Sequence, residues 1–188
     1  MNIFAYLGFT VEHTNSRNDK EFYYAVKYLE NGLKISLVLA IQANIVKSFE
    51  LNIHPEDEQV GVLRAWLAYS PETLIDHYGT PTKIGVFVDG GPRDMYSMVM
   101  NYDAIDLIIQ YISTKDSYVR VTNTFRLCPL VDQYETVTVW LGKDPEYPPH
   151  PSMTLEDATA LSLDEFSNLM KGNPVEACIE IPHDAMFP

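Results

Sequence analysis

Two stretches of this chain present the same kinds of segment in the same order, and that recurrence constrains the fold more than any single motif does. "FAYLGFT" (4–10) answers "IDHYGTP" (75–81), each a short apolar segment ending on a Gly. "EFYYAVKY" (21–28) answers "DMYSMVMNY" (94–102), and "GLKISLVLA" (32–40) answers "AIDLIIQYI" (104–112). "IVKSFELNIHP" (45–55) answers "YVRVTNTFRLCP" (118–129), and a Trp-Leu pair then follows each closing Pro, at Trp66-Leu67 and Trp140-Leu141. The reading is a duplicated unit, with internal pseudo-repeats at 1–55 and 70–129 inside a single domain spanning 1–188. Residues 143–188 follow as a Pro-rich connector and a C-terminal helical extension.

Each unit reads as one helix and three antiparallel strands. Ser70 can accept from the free N–H groups of a first turn, Pro71 suits the first helical position, and Glu72 complements the positive helix end. Gly79 can take the positive φ that ends a helix and Pro81 prevents its continuation, so the Tyr78-Gly79-Thr80-Pro81 corner is explained by termination. Ser162 and Glu165 have capping-box spacing, with Gly172 at the far end. Asn31-Gly32 is a hairpin signal. Leu33, Ile35, Leu37, Leu39 and Ile41 alternate with less apolar residues, as do Ile105, Leu107 and Ile109, which marks a sheet with one buried face. Val119, Val121, Phe125 and Leu127 continue the pattern as a third strand. Residues 58–68 suit a helix, the matching 136–141 a strand, and the closing "IEIPHDAMFP" is too rich in Pro for a helix. The expected class is α+β, with helices covering one face of the sheet.

A net charge of -13 disfavours nucleic acids and anionic lipid surfaces. The acid is densest from Asp144 onward, where nine Asp and Glu face one Lys, so a field that attracts a basic protein would come from there. The longest apolar run, "ISLVLAI", falls far short of the ~18 residues that a membrane-spanning helix needs. "MNIFAYLGF" lacks the basic and long apolar regions of a secretory signal, so the expectation is a cytoplasmic protein or a processed form of something longer. Cys128 and Cys178 can form one disulfide, which favours an extracytoplasmic location, or remain two buried thiols.

No pattern of reactive residues emerges. His54 and His77 show no metal-ligand spacing, and His150 with His183-Asp184 could hold a metal only if distant segments converge. "DGGPRD" (89–94) lacks the features of a phosphate or dinucleotide loop. Cys178 and His183 lack the surroundings that activate a thiolate, and no G-x-S-x-G occurs. The expectation is therefore no catalytic residue, no metal and no cofactor. Tyrosine is frequent, and Tyr23, Tyr24, Tyr28, Tyr96, Tyr102, Tyr111 and Tyr118 fall on predicted strands, where those outside the core form an acid-rimmed contact face for a protein or peptide. Ordinary strand-forming tyrosines with solvated hydroxyls are the plainer alternative.

A helix ending on Tyr-Gly or Leu-Gly, followed by three antiparallel strands and present in tandem, resembles the small modules of the β-lactamase-inhibitor-protein-like and outer-membrane assembly lipoprotein (SmpA/OmlA) superfamily. "LIDHYGTPTKI" (74–84) is the most similar piece. "CP" (128–129) and "CIEIP" (178–182) are similar to uncharacterised extracytoplasmic bacterial proteins, often lipoproteins. The chain departs from the pattern in the curtailed helix before Gly8 and in having no lipid-attachment Cys near its start. The resemblance implies a non-enzymatic protein-binding or inhibitor-like module and transfers no catalytic residue. The rival expectation is a hydrolase or small-ligand-binding protein with its site between the two units.

Overall fold

A computed structural model describes residues 3–30, 32–55, 67–88, 95–113, 118–129, 134–142, 149, 151, 153–172 and 177–186, and shows an α+β fold. Helix α1 (Ile3–Tyr6) precedes β1 (Thr10–Arg17), β2 (Lys20–Tyr28), β3 (Leu33–Gln42) and β4 (Ile45–Pro55). A 3-10 turn, Leu67–Tyr69, leads into α2 (Pro71–Tyr78), then β5 (Lys83–Val88), β6 (Tyr96–Tyr102) and β7 (Leu107–Ser113). Next come β8 (Tyr118–Val119), β9 (Thr124–Leu127), β10 (Tyr134–Leu141) and β11 (Met153–Thr154). The chain ends with α3 (Leu155–Thr159), α4 (Leu163–Met170), β12 (Ile179–Pro182) and α5 (His183–Met186). Asn31, residues 58–66, the "DGGPRD" stretch and most of 143–152 lie outside the described residues.

Nine strands form one antiparallel sheet in the order β1-β2-β3-β4-β10-β7-β6-β5-β11. The order departs from the expected three strands per unit. Each half contributes four, and the fourth strand of the second half is β10, not 118–129. That expected counterpart of β4 lies in a separate sheet, β12-β9-β8. The reason is visible in its sequence: Arg120 to Asn123 form a turn, Asn123 takes φ 52°, and Val121, expected on a strand, is 97% exposed. "ETVTVWL" carries no such break, so it is the segment able to fill the gap between β4 and β7 and satisfy the backbone of both.

The local rules explain the helix ends. The Ser70 hydroxyl accepts from Thr73 N, and Gly79, at φ 83°, returns its N–H to Ile75 O at 2.8 Å. Ser162 and Glu165 complete a capping box at α4, and the hydrogen bonds from Ser162, backbone first, hold the Glu165 carboxyl below its ordinary pKa. The expectation of no helix in the last segment is corrected: α5 makes one turn from His183, because Pro182 precedes it and no Pro lies within it.

Strand alternation divides the large sheet into two faces. One bears Leu33, Ile53, Ile84, Met98, Ile109 and Val137, all nearly inaccessible, and packs against Ile75 of α2, Leu155 of α3, and Phe166 and Met170 of α4. The small sheet adds Phe125, Leu127, Ile179 and Ile181 to this core. Over the first half, Phe4 of α1 closes a second cluster with Ala25 and Leu37. Each fully buried aliphatic side chain contributes about 1.5–3 kcal/mol, so helix cover on this face is what keeps the strands in register.

Two glycines differ in what a methyl group would meet. A Cβ at Gly79 has open space, so Gly79→Ala is expected to cost only the backbone strain of its positive φ, about 1–3 kcal/mol. At Gly142, φ 121°, a Cβ would overlap the Lys47 carbonyl at the start of β4. Gly142→Ala is expected to destabilise more than Gly79→Ala in urea unfolding, because backbone in β4 must also move.

Candidate functional site

The seven strand tyrosines separate by parity. Tyr96, Tyr102 and Tyr111 share the helix-covered side with Met98, Met100 and Ile109 and are 1%, 4% and 0% exposed, so their expected place on a contact face is corrected. Odd–even registration, which the one-dimensional pattern left open, decides this. The Tyr111 hydroxyl donates to Tyr69 O at 2.9 Å. Burial raises the Tyr102 and Tyr111 pKa values, with smaller contributions from Tyr78 at Tyr102 and from Tyr134 and Tyr102 at Tyr111. Tyr23 also lies on the covered side, stacked on Phe4, and its hydroxyl donates to Glu21 Oε2 at 3.0 Å, which raises its pKa. Tyr118 belongs to the small sheet, beside Phe125 and His183. Only Tyr24 and Tyr28 reach the other side of the large sheet.

That other side is the candidate site. Both apolar clusters that include the helices draw their large-sheet members from the covered face, so no described helix packs here. Register aligns its side chains in rows across the strands. Tyr24, Val38, Glu50, Trp140, Ile108 and Asn101 form one row from β2 to β6. Val26, Ser36, Asn52, Thr138, Gln110 and Val99 form the next. A third runs from Tyr28, 56% exposed, through Lys34, His54, Thr136 and Ile112 to Phe87, 42% exposed, on β5. At one edge His13 of β1 stacks on Tyr24 with ring centroids 4.1 Å apart, and at the other Pro151 lies against Gly85.

The middle of this face, where β4 meets β10, is tied by side-chain hydrogen bonds. Asn52 Nδ2 donates to Glu50 Oε1 at 2.7 Å, Trp140 Nε1 donates to Glu50 Oε2 at 3.0 Å, and Thr138 Oγ1 donates to Asn52 Oδ1 at 2.8 Å. Both carboxylate oxygens of Glu50 are therefore engaged inside the protein, which fixes the Trp140 indole N–H on the β4 side of the seam. Further along, Gln110 Nε2 donates to Ser97 Oγ at 2.7 Å. The Trp-Leu pattern marked Trp140 in the sequence, but its partner Glu50 carried no local signal.

Other candidates stand apart from this face. Cys128 and Cys178 are joined as a disulfide, one position beyond the Leu127–Ile179 pair of the small sheet. His183 stacks on Phe125 and lies 3.5 Å from Asp184, while His150 is outside the described residues. Among the described residues, no three His, Cys, Asp or Glu side chains come together as a metal site. An open depression of about 430 Å³ on the outside of α2 is lined by Ala68, Thr73, Leu74, Asp76, His77 and Tyr78. No helix among the described residues is long and apolar enough to cross a membrane. No protein-family model, curated protein or solved structure matches the chain.

Two measurements check these assignments. The raised pKa values of Tyr102 and Tyr111 contribute stability that is complete below the ordinary tyrosine value of 10.0 and is lost as pH climbs past it. Unfolding followed by tyrosinate absorbance should therefore steepen above about pH 10, and Tyr111→Phe should flatten that slope while costing about 1 kcal/mol at neutral pH. Replacing both Cys128 and Cys178 by Ser opens a loop of 50 residues. The pair of changes is expected to lower unfolding free energy by about 4 kcal/mol and to speed amide exchange at 177–186.

Proposed function

We propose that this protein is a non-enzymatic, inhibitor-like module that binds another protein on the helix-free face of its large sheet. The observation that carries this reading is the size and make-up of that face. Seven strands spaced ~4.8 Å apart, with same-face residues every ~6.7 Å, give roughly 600–900 Å². A stable protein interface takes about 800 Å² from each partner; the footprint is of that order, with Phe22, Val26, Ala40, Ser48, Ser97, Val99, Thr138 and Trp140 already buried within it and the accessible part lying around them. Its half-buried aromatic and aliphatic groups, Tyr24, Val38, Ile108 and Ile112, lie among polar side chains, a mixture characteristic of interfaces.

In each half a helix leads into a run of antiparallel strands, and the two sets of strands lie side by side, so two helix-and-strand units share one sheet. The Cys128–Cys178 disulfide supports a working location outside the cytoplasm, where such bonds persist. The rival hydrolase or ligand-binding reading needs an accessible site at the junction of the halves, and there Glu50, Asn52, Thr138 and Trp140 are bonded to one another.

Capture from the native host's extract tests the proposal. Ser36→Trp and Thr136→Arg add bulk to the middle of the face without removing a core contact, and Glu156→Lys on α3 serves as the control. Both face variants should retain the wild-type melting temperature and lose at least tenfold in affinity for the captured protein, while the control binds normally. Unchanged binding by both face variants would remove the face from consideration.

A further inference from the structure

At its described regular strand positions, the proposed binding face is opposite in charge to the chain as a whole. Among the described residues at regular positions of this face, Arg17, Lys20, Lys34 and Lys83 are cationic and Glu50 is the one carboxylate. The Glu50 carboxylate is already taken by Asn52 and Trp140. Glu12 and Glu135 sit at β-bulges, outside either alternation. The helical cover on the far side has the reverse bias: Glu72, Glu156, Asp157, Asp164 and Glu165 occupy first turns, with Lys171 paired to Asp76 at 3.3 Å. Four of the nine acidic residues from Asp144 onward, Glu156, Asp157, Asp164 and Glu165, complement helix N-termini on that far side.

The cations surround an uncharged centre. Lys20 stands at the β1–β2 corner, Lys34 at the opposite end of β3 with its ammonium 5.7 Å from the Tyr28 ring, and Lys83 at the start of β5. Between them lie the half-buried Val38 and Ile108, on either side of the buried Trp140. At physiological salt, charges separated by more than ~8 Å are largely screened, and the helical layer sits ~10 Å behind the sheet. A partner docked on this face therefore meets the lysines at close range and the acidic first turns of α2, α3 and α4 only across the sheet.

Resting on the proposed function, we infer that the partner is a protein whose contact surface has an acidic rim around an apolar centre. Like-charge contact with a basic partner would cost affinity at each lysine, whereas an acidic one gains orientation: it is attracted to the sheet and repelled by the helices. Nucleic acid shares the negative charge but offers a phosphate array along its whole length, and the three lysines stand at separate corners rather than in a track.

Amide chemical-shift mapping separates these outcomes, with soluble poly-L-glutamate, poly-L-lysine and a duplex DNA oligonucleotide as probes. Poly-L-glutamate is expected to shift amides around Lys20, Lys34 and Lys83, and the triple variant Lys20→Glu/Lys34→Glu/Lys83→Glu to weaken it at least tenfold. Poly-L-lysine is expected to map to α2, α3 and α4. The inference is overturned if poly-L-glutamate leaves the face unperturbed, if the triple variant binds it equally well, or if DNA binds the face more tightly. A host protein blocked by Ser36→Trp yet bound more tightly by the triple variant would refute the acidic partner and leave the binding function standing.

Discussion

The pairing of β4 with β10 decides what kind of molecule this chain makes. Without it the two halves would be separate four-stranded units, each with a long open edge. With it, Val137 to Leu141 pair with Phe49 to Ile53 on one side and with Leu107 to Tyr111 on the other. The alternating Val137, Val139 and Leu141 then continue the covered face from one half to the other, and Thr138 and Trp140 continue the open face. Gly142 completes the join, since its N–H donates to Asp106 O at 3.0 Å while its bare α-carbon lets Lys47 approach. The hydrogen bonds among Glu50, Asn52, Thr138 and Trp140 have the same structural position, on the solvent side of the seam.

From that continuous sheet the division of labour between faces follows. Helices and the disulfide-joined small sheet all pack on one side, because there the alternating Leu, Ile, Val and Met side chains need cover. The remaining edges are blunted. At β1 the strand is polar, bulged at Glu12, and the Ser16 N–H is taken by Asn15 Oδ1 at 2.8 Å; at the other edge stands β11, only two residues long. What is left is a broad face with lysines at its corners, while Glu72, Glu156, Asp157, Asp164 and Glu165 stand in first turns of the helices on the opposite side.

Much of the local structure could be read before any coordinates. Ser70, Pro71 and Gly79 delimit α2, and the Ser162–Glu165 box starts α4, because capping is satisfied within a few residues. The helix-covered face of β3 was legible from Leu33 to Ile41. The tyrosines were not, since one strand cannot say which of its two faces points inward; β6 and β7 turned Tyr96, Tyr102 and Tyr111 to the core through their neighbours. The assignment of 118–129 as the partner of β4 failed for a related reason: strand pairing is made between distant segments, and a polar turn at Arg120 to Asn123 outweighed the flanking apolar pattern.

By itself the sequence determined where α2 and α4 begin and end, the alternation that demands a covered sheet, and the single pairing open to two cysteines. These depend on interactions short in range or on counting. Only the tertiary structure decided that β10 sits between the halves, that the disulfide forms, that three tyrosines are core, and that Lys20, Lys34 and Lys83 share one face. Those outcomes depend on register between strands far apart in the chain, where a shift of one residue exchanges the two faces, and no local pattern carries that information.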